Sequence, residues 1–225
     1  MTWMAIHDTL LDHFGPQHWW PGETPFEVMV GAVLTQNTAW TNVERAIAAL
    51  KSHNETHNAL SATALLGLPD AKLAALIRPA GYFNVKTRRL KALCQFLSDR
   101  GVADQPQQLA AQATLPELRK ALLAVHGIGE ETADSILLYA LNLPSFVVDA
   151  YTRRSFTRLG LLNGDESYAA IQARFHTELP IDRALFNEFH ALIVALAKHH
   201  CRPRPQCEAC PLPTRCPYAK SLSLR

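Results

Sequence analysis

The chain has no run of 18 apolar residues, which excludes an ordinary membrane-spanning helix. Its opening segment, MTWMAIHDTLLDHF, carries two aspartates and lacks a basic stretch ahead of the apolar positions, so it does not read as a secretory signal. The two absences argue for the cytoplasm. Alternating apolar–polar patterns are scarce, and SFVVD at 145–149 is the only serious strand candidate. Internal repeats and low-complexity stretches are missing as well. Cysteine is sparse and odd in number, five in 225 residues, which suits a disulfide framework poorly. Cys94 stands apart from the other four, in the apolar register Leu90, Leu93, Cys94, Leu97, and reads as a buried structural thiol.

What is present is helical. Hydrophobic content of 48% with 19% charged residues describes a globular chain long enough to bury a real core. FEVMVGAVL (26–34) is apolar on nearly every side, as a buried helix requires. Residues 83–98 place Leu90, Leu93 and Leu97 at helical spacing, with basic side chains opposite. Thr114-Leu-Pro-Glu117 is a capping box with Pro in the first turn, opening a helix through Leu118, Leu122 and Leu123. Leu185, Phe189, Leu192, Ile193 and Leu196 mark another. The predicted fold class is all-α, with about ten helices.

Net charge is only +2, but its distribution is lopsided. Residues 1–70 hold 2 basic and 7 acidic side chains; residues 71–225 hold 20 and 13. The basic excess gathers at Lys86, Arg88, Arg89 and Lys91, and again at Arg202, Arg204, Arg215, Lys220 and Arg225. Such clusters suit a phosphate backbone, or simply a solvated helix face and a basic tail.

The four remaining cysteines, Cys201, Cys207, Cys210 and Cys216, read C-x5-C-x2-C-x5-C among the prolines Pro203, Pro205, Pro211, Pro213 and Pro217. Two ligands two residues apart, flanked by stiffened loops, let four soft sulfurs converge on an iron–sulfur cluster or a structural zinc. A second signal is Val125-His-Gly-Ile-Gly-Glu-Glu-Thr132 between two amphipathic helices. Gly127 and Gly129 permit a tight turn and close backbone approach, leaving N–H groups at the second helix to meet an anion. The pattern is a helix-hairpin-helix, a sequence-independent grip on one DNA phosphate.

The hairpin VHGIGEETAD, then FVVDAYTRR from Phe146, then the four-cysteine tail resemble the endonuclease III superfamily of DNA glycosylases over most of the chain. The resemblance implies two helical lobes with damaged double-stranded DNA in the groove between them. Residues 23–135 would form a six-helix lobe with the hairpin, and residues 1–22 with 136–225 the cluster lobe. It implies a monomer and no membrane partner. Asp149 matches the family's catalytic aspartate, where a carboxylate stabilises oxocarbenium character on the sugar and orients water. The same residue would also N-cap the helix AYTRRSF. Glu131 stands where bifunctional members carry a lysine that attacks the sugar; a glutamate forms no imine, so a monofunctional glycosylase is expected. VGAVLTQNT (30–38) resembles the helix whose glutamine, Gln36, enters the DNA stack. RPAGYFNVK (78–86) resembles the loop that wedges the opposite strand through Tyr82, with Lys86 on phosphate. The carbonyls of Leu123, Val125 and Ile128 match a site for Na+ or K+.

The run WWP, the aromatic after AVLTQNT, RPAGYFN and Gly-Ile-Gly with Glu131 resemble the endonuclease III-like 3-methyladenine glycosylases. That implies a base pocket of Trp19, Trp20 and Trp40, with Pro21 and Lys198. Electron-rich rings favour cationic alkylated purines, whose glycosidic bond is already weakened. The alternative is that Trp19 and Trp20 pack a domain junction. The family's cysteine spacing is C-x6-C-x2-C-x5-C, one residue longer in its first interval, and the prolines here absorb the difference. A [4Fe-4S] cluster is expected, with zinc as its competitor. Three rival functions remain open: a glycosylase for oxidised or deaminated pyrimidines or mismatched bases, a non-catalytic damage-recognising DNA-binding protein, and a zinc-stabilised helical module with no DNA role.

Overall fold

Thr24 opens the most buried helix of the protein. Its hydroxyl accepts the Glu27 N–H at 3.1 Å, Pro25 occupies the first turn, and α2 (Pro25–Leu34) begins there, buried continuously from Phe26 to Leu34. A helix apolar all round needs neighbours on every side, and the computed structural model of the chain supplies them. The structure describes residues 2–53 and 60–223; Arg225 of the basic tail lies outside them. The architecture is all-α, with no strand among the described residues.

The chain divides into two units, Trp20–Leu143 and Met1–Trp19 with Pro144–Arg225. In the first, α2 packs against α3 (Trp40–His53), α6 (Phe83–Asp99) and the hairpin helix α8 (Glu130–Ser135), which runs on into a π-helical turn, Ile136–Ala140. Short helices α4 (Ala62–Gly67) and α5 (Asp70–Leu76) cover α6. Cys94 is fully buried on α6, as its register predicts, and burial pushes its thiol up to about 12. Helix α7 (Leu115–Leu123) starts at the predicted capping box, where Glu117 accepts both the Thr114 N–H at 2.9 Å and its hydroxyl at 2.7 Å.

The second unit is built on aromatic packing. Trp3 of α1 (Trp3–Phe14), Phe146, Phe156 of α9 (Ala150–Arg158) and Phe189 of α11 (Arg183–His199) surround Phe175 of α10 (Tyr168–Glu178). Phe146 stacks on Phe175 with ring centroids 3.7 Å apart. A last helix, α12 (Pro217–Ser223), comes after the cysteine loop.

SFVVD is not a strand. Residues Ser145 to Val148 are buried outside any helix and have no partner strand among the described residues, so side chains of α10 take its place. The Tyr168 hydroxyl accepts the Val148 N–H at 3.3 Å, Gln172 donates to the Phe146 carbonyl at 2.7 Å, and His176 Nε2 accepts the Phe146 N–H at 3.1 Å. Spaced four apart, the three lie along one face of the helix. This ladder fixes the entry to Asp149.

The two helices of the hairpin are tied by a bidentate ion pair. Arg119 on α7 reaches both carboxylate oxygens of the fully buried Asp134 on α8, at 2.9 and 3.0 Å. Removing the acid would take its bidentate partner from a largely buried guanidinium that also lies 3.5 Å from Glu130. Asp134→Ala is therefore expected to destabilise the protein by about 3 kcal/mol in denaturant unfolding, whereas the surface change Glu178→Ala stays within about 0.5 kcal/mol.

Candidate functional site

Asp149 is the N-cap of α9. Its Oδ1 accepts the Thr152 N–H at 2.7 Å, and its Oδ2 lies 3.5 Å from His190 Nε2 on α11. Burial alone would push this carboxyl up. The nearby His190, with hydrogen bonds from His190 and Thr152, outweighs burial and holds it below the ordinary carboxylate range. The side chain is 13% exposed, so the ionised carboxylate keeps a narrow opening to solvent. Such a group can stabilise a developing cation or orient water. The sequence points to Asp149 and its capping role but not to His190, which carries no motif and sits in an apolar helix.

The hairpin between α7 and α8 is closed by Val125 N–H to the Leu122 carbonyl and Ile128 N–H to the Val125 carbonyl, at 3.0 and 3.1 Å. Gly127 has φ +81°, and a Cβ there would lie 2.3 Å from Cγ of Arg89, so both conformation and contact demand glycine. Gly129 caps α8 with open space beside it, and His126 is exposed. Glu131 is exposed in the first turn of α8. The carbonyls of Leu123, Val125 and Ile128 belong to this turn, with that of Val125 already accepting one bond.

Gln36 lies just past the C-terminus of α2. Its Nε2 donates to the Gly127 carbonyl at 3.1 Å and to Thr132 Oγ1 at 2.9 Å, and Arg89 of α6 donates to its Oε1. The structure therefore brings Gln36 and the hairpin together. Tyr82 caps the start of α6 in the left-handed region, φ 45°, and is 70% exposed, unusual for a large aromatic. Lys86 is a correction. A phosphate contact is expected from the sequence, but the side chain is 1% exposed and its ammonium donates inward, to the carbonyls of Leu34 and Ala80 at 2.7 and 2.8 Å. Burial, with the Arg89 charge nearby, pushes it down to about 8.

The tryptophans fall into two sets. Trp20 meets Trp40 edge-on at 5.2 Å and Tyr139 of the π-helical turn at 5.1 Å. Gly31 of α2 admits these rings, since a Cβ there would lie 3.3 Å from the Trp20 indole nitrogen. Trp40 donates to Glu44 at 2.8 Å, and Pro21 is exposed. In the other unit, the Lys198 ammonium lies 5.7 Å from the centre of the Trp19 ring. Tyr139 is an aromatic that the sequence does not single out, because it is embedded in the apolar run ILLYAL.

Cys201, Cys207, Cys210 and Cys216 line one cavity, whose walls include Leu159, Leu196, Leu212, Tyr218 and Arg158. Among the described residues no three Cys, His, Asp or Glu side chains gather closely enough to hold a single metal ion. Burial pushes the Cys207 and Cys210 thiols up, and neighbouring sulfurs push them further, so their joint ionisation calls for a compensating cation. Two arginines of α9 fix the loop: Arg154 donates to the Cys201 carbonyl at 2.7 Å, and Arg158 to the carbonyls of Arg202 and Pro203 at 2.6 and 3.0 Å and to Cys201 Sγ at 3.5 Å. Arg202, Arg204, Arg215 and Lys220 are exposed. The donor set and the cavity fit a metal cluster. No helix among the described residues is long and apolar enough to cross a membrane.

Comparison with known proteins agrees with this geometry. Residues 30–180 match the HhH-GPD superfamily of base excision DNA repair proteins. A Methanocaldococcus jannaschii protein named as a putative DNA repair glycosylase is 46% identical over 211 residues, 94% of each chain. Endonuclease III in a non-covalent DNA complex superposes with a TM-score of 0.81 at 22% identity, covering 99% of this chain and 97% of that one. The H. pylori 3-methyladenine DNA glycosylase bound to 1,N6-ethenoadenine gives 0.72 at 28% identity, covering 88% and 98%. The chain belongs to the HhH-GPD superfamily and is a base-excision-repair DNA glycosylase.

Proposed function

We propose that this glycosylase is monofunctional and releases alkylated purines of the 3-methyladenine class from double-stranded DNA. The observation that carries the reading is Glu131, a carboxylate in the first turn of α8 where bifunctional relatives need an amine. No lysine stands elsewhere in the hairpin loop. Without an amine to attack C1′, the strand has no route to an imine and stays intact after base loss.

In this reading, Asp149 lies against the sugar of the extruded nucleotide. Its carboxylate, ionised through neutral pH, stabilises positive charge as the C1′–N bond lengthens, and orients the water that captures C1′. The bonding pair leaves with the base, and the water proton passes to solvent or to the departing nitrogen. A cationic purine is already a good leaving group, so it asks for no strong acid. The rings of Trp20, Trp40 and Tyr139 offer an aromatic surface of the kind that attracts such a cation. Likeness to the H. pylori enzyme, whose bound ligand is a modified adenine, supports the same substrate class. Trp19, Pro21 and Lys198 are assigned to the same recognition.

Extrusion leaves a gap that must be filled. We assign Gln36 to it and Tyr82 to the opposite strand. The hairpin N–H groups around Gly127 and Gly129 hold a backbone phosphate, and the carbonyls of Leu123, Val125 and Ile128 a monovalent cation. Cys201, Cys207, Cys210 and Cys216 hold a [4Fe-4S] cluster, which ties down the tail and presents its basic residues. Four thiolate donors around one cavity, in a chain of this family, support the cluster.

Against duplexes each carrying one lesion, the wild type is expected to release 3-methyladenine and to leave an unbroken abasic strand. Borohydride should trap no adduct; a trapped covalent complex would overturn monofunctionality. Asp149→Asn should slow single-turnover release by about 10²–10⁴-fold while keeping DNA binding. Protein purified anaerobically should be brown and carry about four irons per chain. Zinc at one per chain would contradict the cluster.

A further inference from the structure

We propose that Lys86 and Arg89, one turn apart on α6, are positioning residues that hold the two DNA-intruding segments and the hairpin in a common frame. The inference rests on the assignment of Gln36 and Tyr82 as those intruders. Lys86 reaches from α6 to two chain ends. One is the carbonyl of Leu34, at the last residue of α2 and two residues before Gln36; the other is the carbonyl of Ala80, two residues before Tyr82. A single ammonium thus cross-links the backbones that carry both side chains. Carbonyls at helix ends lack partners within the helix, and a cation there also meets the negative end of the helix dipole. At 1% exposure, water does not compete for these bonds.

Arg89 adds the third segment. It donates to the Gln36 side-chain oxygen, while the Gln36 amide donates to the Gly127 carbonyl and Thr132. The aliphatic stem of Arg89 lies over Gly127, in the space a Cβ would need. Its Nε is buried without a hydrogen-bond partner among the described residues. Arg89 is thereby set into the fold by packing and spends one nitrogen on the glutamine. Charge at this spacing on a helix face is usually read as a DNA-facing patch; here both side chains turn inward and organise the surface that meets DNA.

Hydrogen–deuterium exchange on the full chain, with 2-aminopurine fluorescence beside the lesion, tests the proposal. In Lys86→Met, amides of segments 33–38 and 78–84 should both exchange about tenfold faster, with 144–152 unchanged. In Arg89→Met, which keeps the stem over Gly127, the change should be confined to 36–38 and the hairpin. Both variants should bind duplex but lose base unstacking by about 10- to 100-fold. Faster exchange in only one segment of Lys86→Met, or wild-type unstacking in a folded Arg89→Met, would overturn it. If Lys86→Met does not fold, Arg89→Met decides alone. No release of alkylated purine by the wild type, with paired exchange in Lys86→Met, loses the substrate reading and keeps this one; normal release with unpaired exchange in that variant does the reverse.

Discussion

Asp149 accepts a backbone N–H with one oxygen and faces His190 with the other, and these contacts are the constraint on which the proposed chemistry depends. A carboxylate this buried would ordinarily protonate, and a neutral acid stabilises no cation. The helix N-terminus of α9 and the imidazole keep it charged. The arrangement is rigid because the segment leading into it is rigid. Ser145–Val148 is buried and held by three side chains of α10, with Phe146 stacked into the aromatic core. The core of this unit therefore fixes the placement of this side chain, as the proposed site requires.

Backbone strain marks the same places. Among the described residues, the non-glycine positions with positive φ are His18, Asn37, Tyr82 and Asn142. His18 precedes the Trp19–Trp20 pair, Asn37 comes after Gln36, and Tyr82 is itself an assigned wedge. Left-handed conformations at such residues persist only where surroundings fix them. At Tyr82 the αL turn holds a large ring out into solvent, at a cost that a free surface loop would not sustain. The Lys86 bond to the Ala80 carbonyl is one of the contacts that hold this turn.

The helices, the capping box, the hairpin and Asp149 as a cap are all legible in the sequence because each rests on local chemistry: periodicity, a side-chain acceptor three residues from its donor, glycines where φ turns positive. The hidden features depend on residues distant in sequence. Nothing near SFVVD announces that Tyr168, Gln172 and His176 will replace a partner strand, so its β-branched pattern reads as strand. Lys86 misleads for a related reason. A lysine in a basic stretch is ordinarily solvated, and only the carbonyl of Leu34, 52 residues away, makes burial favourable. Tyr139 and His190 lie inside apolar helices, where one polar or aromatic residue gives no sequence signal.

Overall fold similarity does not decide site chemistry. The backbone superposes on endonuclease III with a TM-score of 0.81 and on the 3-methyladenine enzyme with 0.72, and sequence identity to either kind of enzyme reaches 28%. Backbone likeness reports the packing of helices, which many functions share. Specificity resides in the few side chains that meet the base and the sugar. Here the discriminating positions are few: an acid at 131, a glycine at 31 that admits indole rings against α2, and an aromatic at 139 inside a π-helical turn. A π-turn inserts an extra residue into the helix and rotates the side chains beyond it. Tyr139 is brought against Trp20 in that turn, so the aromatic surface depends on a local departure from regular helix that overall superposition barely registers. The proposed preference for a charged purine therefore rests on these site residues and not on the superposition.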